Sequence, residues 1–227
     1  MPARRESGSV SVEARIRSLV ARLEAIHGRP EPPAPRPCLD VLIACILSQH
    51  TSDANSGKAW DRLRSRFPRW DDVLSSPTED IEDAIRVGGL AASKARAIKA
   101  MLQRVMELEG ELSLDRLRAI SDADARDSLL RLPGVGPKTA AIVLCFAMGR
   151  PFVPVDTHVH RVARRLGLIP PTMNADRAHE ALRAAVPSDL AYSFHIALIR
   201  HGRRVCRARH AQCGTCAISD ECERPDL

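Results

Sequence analysis

Helical periodicity, divided by short breaks, is the feature that most constrains how this chain can fold. From Val12 onward, apolar residues recur at three- and four-residue intervals in segments such as VEARIRSLVARLEAI, LDVLIACILSQ and ASKARAIKAMLQRVMELEG. Prolines and glycines separate these segments, and no stretch keeps the strict alternation of a half-buried strand. The sequence therefore predicts an all-α fold.

The stretch PEPPAPRPC, residues 30–38, interrupts this pattern because five of its nine residues are proline. A helix cannot continue through such a run, so we expect an extended connection between two packed units. Residues 1–9 show no helical pattern, and we expect them to form a flexible basic tail.

Charge and cysteine content narrow the functional classes. The chain carries 34 Lys and Arg against 28 Asp and Glu, a net charge of +6, which suits a polyanionic partner. Aromatic residues make up only 3%, too few for stacking on single strands, so a nucleic-acid partner would be a duplex. No stretch is apolar enough for a membrane span or a signal peptide, and we expect a cytoplasmic protein. Its seven cysteines then favour metal ligation over disulfides.

The stretch LPGVGPKTA, Leu132 to Ala140, places two prolines and two glycines before an apolar helical run. A tight turn between helices accounts for one glycine and one proline, but not for two glycines around a valine that we expect to be exposed. Glycines let a backbone approach a phosphate, and the next helix offers unpaired N–H groups. We predict a hairpin that binds the DNA backbone without reading sequence, through Gly134, Val135, Gly136 and Thr139.

Lys138 stands in the first turn of the helix after this hairpin. The positive end of the helix dipole and partial burial both disfavour an ammonium ion there, which leaves a larger fraction of neutral amine. A neutral amine can attack a sugar carbon and form a Schiff base, whereas a charged one would contact phosphate. The residue type alone leaves both roles open.

Asp156 follows the apolar stretch RPFVPV and precedes a helix. Aspartate at such a position commonly caps the helix. A carboxylate there can also accept a proton and stabilise positive charge on a sugar, as in glycoside cleavage. His158 and His160 are two residues apart and do not share a helix face, so they make a poor metal pair. We expect His158 to support the site and His160 to serve packing or the surface.

Four cysteines lie within the last 25 residues with the spacing C-x6-C-x2-C-x5-C: Cys206, Cys213, Cys216 and Cys222. Such a cluster in a cytosolic chain predicts a metal site, and the spacing alone fits both structural zinc and an iron–sulfur cluster. Arginines at the start of this stretch, Arg203 and Arg207 among them, are candidate phosphate contacts. The other three cysteines lie in or beside apolar segments and are expected to be buried thiols: Cys38, Cys45 and Cys145.

Together and in this order, the LPGVGPKTA hairpin, VDTHVHRV and the cysteine spacing resemble the endonuclease III family of helix-hairpin-helix DNA glycosylases, over about residues 12–225. The resemblance implies two α-helical lobes with DNA in the cleft between them. One is a six-helix barrel, residues 38–150, with the hairpin at about 126–149. The other is a discontinuous domain, residues 10–37 and 151–227, that carries a [4Fe-4S] cluster. It also implies a monomer that binds damaged duplex DNA, in the cytoplasm of a bacterium and associated with its nucleoid.

By position, the resemblance makes Lys138 the nucleophile, Asp156 the catalytic carboxylate and the four clustered cysteines the cluster ligands. It implies that a damaged pyrimidine is flipped out of the duplex. Lys138 then displaces the base at C1′, giving an imine, and β-elimination cuts the strand on the 3′ side. Relatives that act on mismatches carry a small hydroxyl residue or a tyrosine in place of this lysine. The lysine therefore favours a bifunctional DNA glycosylase and AP lyase acting on oxidised pyrimidines.

Two further positions follow from the same resemblance. Leu90 falls where the family places a leucine that wedges into the duplex, and Gln49 or His50 falls where a glutamine fills the gap left by the flipped base. A histidine in that gap would form different hydrogen bonds with the orphaned base. Ala91 and His160 also replace aromatic residues of the family, so the preferred lesion stays open.

Two other functions stay open. One is a DNA-binding protein that recognises distorted or abasic duplex and has weak or lost base excision. The other is a glycosylase of the same fold that removes uracil or thymine from mismatches. The presence of both Lys138 and Asp156 favours the enzyme over the binding protein.

Overall fold

The structure, a computed structural model, describes residues 11–223, and every regular element in that range is helical. The all-α prediction is confirmed, since no strand occurs among these residues. None of the described helices is both long and apolar enough to cross a membrane. The predicted tail at residues 1–9 lies outside the described residues. The α-helices are α1 (Val12–His27), α2 (Cys38–Ser48), α3 (Asp53–Arg66), α4 (Trp70–Ser75), α5 (Thr78–Ile85), α6 (Ala91–Glu109), α7 (Asp122–Leu130), α8 (Pro137–Ile142), α9 (Thr157–Arg165), α10 (Ala175–Ala185) and α11 (Ala191–Arg204).

Local side chains fix where several of these helices begin. Ser11, Ser52 and Ser121 each accept a backbone N–H in the first turn of α1, α3 and α7. Asn174 does the same for α10. Each of these bonds satisfies one of the donors that a helix N-terminus leaves unpaired. The proline-rich stretch at residues 28–37 contains no helix, as predicted.

The chain divides into two compact units, and the first is Pro33–Arg150. In this unit α2 packs against α3 and α6, and α5 packs against α3 and α6. Helix α2 is apolar on nearly all sides, which explains why it lies inside this unit. The large, fully buried side chains of the unit include Leu39, Leu42, Ile43, Leu47, Leu63, Ile81, Ile85 and Ile98.

The second unit combines Met1–Pro32 with Pro151–Leu227. Helix α11 packs against α1 and α9, and α10 contacts α9. The core between them includes Ile16, Leu19, Leu23, Val159, Phe194 and Leu198. This unit holds the start of α9 and the cysteine-rich C-terminal stretch. Identification of the two units as a barrel domain and a cluster domain stays a prediction.

Helix α8 passes directly into a π-helical segment, Val143–Ala147, which the sequence did not predict. The wider i→i+5 turn changes which side chains face α2, against which the segment packs. Burial there raises the pKa of the Cys145 thiol to about 12. Burial also raises the pKa of Cys38 to about 11. Both are buried thiols, as predicted, and both stay protonated at neutral pH.

Candidate active site and cysteine site

The predicted hairpin lies between α7 and α8. Gly134 has a φ of +73°, a conformation that favours glycine. Val135 is only 8% exposed, and its backbone N–H donates to the Leu132 carbonyl at 3.2 Å. The expectation of an exposed valine is therefore wrong, because the turn directs this side chain into the unit. Only the backbone of Val135 remains as a candidate contact for DNA.

The N-terminus of α8 lacks a side-chain cap. Gly136 occupies the N-cap position, and no side chain among residues 11–223 accepts a hydrogen bond there. Pro137 at the first helical position has no N–H to satisfy. The N–H groups of Gly136, Lys138 and Thr139 are therefore the donors that this helix start leaves for a ligand. Their arrangement suits an anion such as a phosphate.

Lys138 is the second residue of α8, as predicted, but its side chain is exposed rather than partly buried. Helix α8 packs against α2, and the charge of Lys138 acts on the Cys45 thiol of that helix. Burial raises the pKa of the partly buried Cys45 thiol to about 11, against a smaller opposing effect of Lys138 and Arg36. The argument from partial burial therefore does not apply to Lys138.

Lysine is rare in this chain, which carries only Lys58, Lys94, Lys99 and Lys138. The amine of Lys94 is buried and binds two backbone carbonyls. The amine of Lys99 donates to the carbonyl of Ser76. Only Lys58 and Lys138 have exposed side chains, so only these two lysines present an amine to a large ligand.

Asp156 is the N-cap of α9. Its Oδ1 accepts the N–H groups of His158 at 2.9 Å and Val159 at 2.8 Å. Within residues 11–223, Oδ2 accepts no hydrogen bond. One oxygen therefore fixes the carboxylate while the other stays available, so capping and catalysis are compatible in this side chain.

The backbone before Asp156 is held by two histidines that the sequence analysis missed. His195 Nδ1 lies 2.7 Å from the Pro154 carbonyl, and His179 Nδ1 lies 3.2 Å from the Val153 carbonyl. Both nitrogens must carry a proton to make these bonds, which sets the tautomer of each ring. His195 lies in the apolar helical segment LAYSFHIALIRHG, where a buried polar residue is the signal that could have identified it.

The other two histidines of this region take lesser roles. The backbone N–H of His158, not its ring, contacts Asp156, and its Nδ1 lies 3.1 Å from Arg161 Nη2. The ring of His160 is half-buried and bonds the Met173 carbonyl at 2.8 Å, which agrees with the packing role expected of it.

The candidate wedge and gap-filling residues lie in neighbouring loops of the unit Pro33–Arg150. Leu90 is 59% exposed and precedes α6 with a φ of +49°. Gln49 and His50 follow α2, and both are exposed. The amine of Lys94 contacts the carbonyls of Leu47 and Gly88 and so brings the two loops together.

The four clustered cysteines line one shared cavity, together with Val162, Leu166 and Ile218. Cys206 Sγ lies 3.4 Å from Arg165 Nη1, and Cys216 Sγ lies 3.7 Å from His201 Nε2. Burial, together with the charges of the other three cysteines, raises the pKa of Cys216. Four thiols in one apolar cavity are a donor set for a metal group, because only a cation makes four neighbouring thiolates favourable.

The spacing of these thiols bears on what the cavity can hold. No three His, Cys, Asp or Glu side chains within residues 11–223 converge closely enough to hold a single metal ion. Which metal group the four thiols would hold therefore stays a prediction. Arg203 and Arg207 are exposed beside this stretch.

Comparison with known proteins places this geometry in a family. Residues 43–188 match the HhH-GPD superfamily of base excision DNA repair proteins. Endonuclease III of Thermotoga maritima is 32% identical over 212 residues, which cover 93% of this chain and 92% of that protein. The chain belongs to the HhH-GPD superfamily and is endonuclease III-like.

Two further similarities agree with this membership. A relative from Arabidopsis thaliana is 40% identical over 165 residues, which cover 73% of this chain. The match spans only 56% of the length of that relative. The structure of a trapped covalent intermediate between endonuclease III and DNA matches with a TM-score of 0.77 and 30% identity, over 92% of this chain and 95% of that one. Membership of this family suggests an iron–sulfur cluster, and the DNA-bound neighbour supports DNA as a partner.

Proposed function

We propose that the protein is a base excision repair enzyme, a bifunctional DNA glycosylase and AP lyase that removes oxidised pyrimidines from duplex DNA. The observation that carries this proposal is the exposed amine of Lys138 in the first turn of α8, beside the uncapped hairpin. Of the four lysines, it is the one that combines exposure with a helix N-terminus able to bind phosphate. The similarity to a covalent endonuclease III–DNA intermediate supports a nucleophilic role.

The hairpin holds the DNA backbone in this proposal. The N–H groups of Gly136, Lys138 and Thr139 bind a phosphate, and Gly134 and Gly136 keep side chains away from it. These contacts carry no sequence information, which suits an enzyme that must examine every position of a duplex. In this proposal the same contacts bring the DNA strand to the lysine amine.

The chemistry then proceeds in two steps. The neutral amine of Lys138 attacks C1′, the glycosidic bond breaks, and the base leaves with the bonding electrons and a proton. Opening of the sugar gives an imine between Nζ and C1′. Loss of a proton from C2′ breaks the C3′–O bond, which cuts the strand on the 3′ side. Asp156 serves as the carboxylate that accepts the amine proton and stabilises positive charge on the sugar, through its unengaged Oδ2.

Base extrusion falls to the loops of the unit Pro33–Arg150. Leu90 enters the duplex as a wedge, and Gln49 or His50 fills the gap opposite the orphaned base. The exposure of all three side chains supports these roles. Unstacking costs less for a damaged base than for an intact one, which favours lesions as substrates.

We further propose that the cysteine cavity holds a [4Fe-4S] cluster ligated by Cys206, Cys213, Cys216 and Cys222. The fit rests on four thiols around one apolar cavity. When bound, such a cluster supplies four metal–thiolate bonds that cross-link the C-terminal stretch. Arg203 and Arg207, next to that stretch, add phosphate contacts.

Borohydride trapping tests the proposed function. The substrates are duplexes with one thymine glycol, one uracil mismatch or one abasic site, and the variants are Lys138→Gln and Lys58→Gln. Lys58 is the matched control because it is the other exposed lysine. We expect a covalent adduct on thymine glycol duplex that Lys138→Gln abolishes and Lys58→Gln retains.

The other outcomes point to the alternatives. Trapping on the uracil mismatch alone would make the protein a mismatch glycosylase of the same fold. Trapping on the abasic duplex alone would support the lyase step but contradict the removal of oxidised pyrimidines. Binding with no adduct on any duplex would mean a lesion-binding protein without base excision.

A further inference from the structure

Lys94 is a buried lysine whose amine binds backbone carbonyls only. It lies in the first turn of α6 and is 3% exposed. Its Nζ donates to the Leu47 carbonyl at 2.8 Å and to the Gly88 carbonyl at 2.9 Å. No carboxylate within residues 11–223 pairs with it, so its partners are two backbone oxygens. Burying an ammonium ion without a counter-ion is unfavourable, which argues that these two bonds serve a purpose.

Both bonds survive a change in protonation. Burial lowers the pKa of the Lys94 amine. The neutral amine still has two N–H donors, one for each carbonyl, while the charged form has three. The contact therefore persists in either form, and its function does not require titration.

The two carbonyls belong to the two loops proposed to enter the duplex. Leu47 lies in the last turn of α2, where carbonyls lack helical partners, and Gln49 and His50 follow directly. Gly88 lies just before Leu90 at the start of α6. The backbone N–H of Lys94 also donates to the Leu90 carbonyl at 3.0 Å. Lys94 thus binds three carbonyls, one at the end of α2 and two in the loop before α6.

The same two loops contain non-glycine residues with unusual backbone conformations. Three non-glycine residues in the described range have a positive φ, and two of them are His50 at +52° and Leu90 at +49°. Such conformations persist only where the surrounding contacts enforce them. Lys94 supplies contacts within three residues of each.

We propose that Lys94 is a positioning residue that ties the loop after α2 to the loop before α6, so that Leu90 and the Gln49–His50 pair enter DNA as one rigid unit. The inference rests on the proposed function, which assigns the wedge and gap-filling roles. Loops that are ordered beforehand pay less conformational entropy when they bind. Wedge insertion and gap filling then occur together, and the base stays extruded long enough for chemistry.

Lys94→Met tests the tie because it removes the donors at similar length and leaves the Leu47 and Gly88 carbonyls unpaired. Lys99→Met is the matched control, since Lys99 lies on the same helix and donates to the carbonyl of Ser76, away from both loops. The readouts are single-turnover base excision and the fluorescence of 2-aminopurine placed opposite the lesion. We expect Lys94→Met to slow excision by about 10- to 100-fold and to lose the fluorescence change, while Lys99→Met keeps both.

A double-mutant cycle with Leu90→Ala separates positioning from a general loss of structure. If Lys94 acts through the wedge loop, the double variant excises no more slowly than Leu90→Ala alone. Independent effects that multiply, or an unchanged fluorescence signal in Lys94→Met, would overturn the proposal. Circular dichroism checks folding, and Lys94→Gln replaces Lys94→Met in the same cycle if the latter does not fold.

Measurements on the wild-type protein distinguish failure of the proposed function from failure of the proposal for Lys94. Absence of excision and of trapping by the wild-type on every duplex would contradict the proposed function. The 2-aminopurine signal and the affinity for abasic duplex would still report on Lys94 in that case. If Lys94→Met loses both the fluorescence signal and the affinity, and these losses are not additive with those of Leu90→Ala, the result supports the tie. Additive losses refute it.

Discussion

At the scale of single residues, Asp156 shows how one side chain can serve both folding and chemistry. Its Oδ1 accepts two N–H groups of α9, which fixes the rotamer of the carboxylate. Its Oδ2 is left for another partner. The segment before Asp156 is buried, and hydrogen bonds to the carbonyls of Val153 and Pro154 hold it in place. It is therefore more rigid than an exposed loop.

Two substitutions of Asp156 separate these roles. Asp156→Asn keeps the cap, because asparagine caps helices about as well as aspartate, but removes the charge. We expect it to melt close to the wild-type and to excise a damaged base about 100-fold or more slowly. Asp156→Ala loses the cap as well and should cost about 1 kcal/mol of stability in addition. Wild-type excision rates in Asp156→Asn, measured beside thermal melts, would reduce Asp156 to a structural cap.

At the scale of elements, the hairpin offers a matched pair of glycines. Gly134 and Gly149 have φ values of +73° and +66°, and a Cβ at either position would meet no heavy atom within 4 Å. Alanine at each should therefore cost a similar amount, about 1–2 kcal/mol, from backbone strain alone. Gly149 lies after the π-helical segment, away from the hairpin turn.

DNA affinity should distinguish the two glycines. We expect Gly134→Ala to weaken binding to a duplex about tenfold, because a methyl group in the hairpin would disturb one of the proposed backbone–phosphate hydrogen bonds. Gly149→Ala should bind as tightly as the wild-type. Equal weakening in both variants, measured by fluorescence anisotropy at fixed salt, would mean that binding follows stability and that the hairpin does not contact DNA.

The elements also show which features could be predicted from the sequence. The start of α8 at Pro137 and of α9 after Asp156 follow from local rules for proline and for N-caps, and the structure has both. The burial of Val135 and the exposure of Lys138 were predicted wrongly, because tertiary packing, not the local pattern, decides which way a turn points. The π-helical segment left no mark on the periodicity, for it adds a single residue to one turn.

Lys94 was not identified for a related reason. In sequence it is one polar residue on an amphipathic helix, ASKARAIKAMLQRVMELEG, and such a residue is usually solvated. Only the path of two loops distant in sequence brings the Leu47 and Gly88 carbonyls to its amine. The family membership, in contrast, was predicted correctly, because the hairpin and cysteine motifs are local in sequence.

At the scale of the whole molecule, the C-terminal stretch has little apolar core of its own. Between Cys206 and Glu223, only Ile218 is a buried apolar residue, and the regular structure is limited to short 3₁₀ turns. Ion pairs link it to α1, with Arg15 bonded to Glu221 and Arg22 to Asp220. Partly exposed ion pairs contribute little, about 0–1 kcal/mol each. We expect a bound metal group to supply further order to this stretch.

Cys216→Ser tests this dependence in the full-length protein, with Cys145→Ser as the control because Cys145 is buried in the other unit. Serine lacks the soft thiolate that iron binds, so we expect iron and sulfide content to fall and residues 206–223 to become readily cleaved by protease. Cys145→Ser should keep its iron. Purified wild-type protein that contains one zinc and no iron would contradict the [4Fe-4S] proposal. Iron that remains in Cys216→Ser would remove that cysteine from the ligand set, and a protease-resistant stretch without iron would show that α1 contacts suffice.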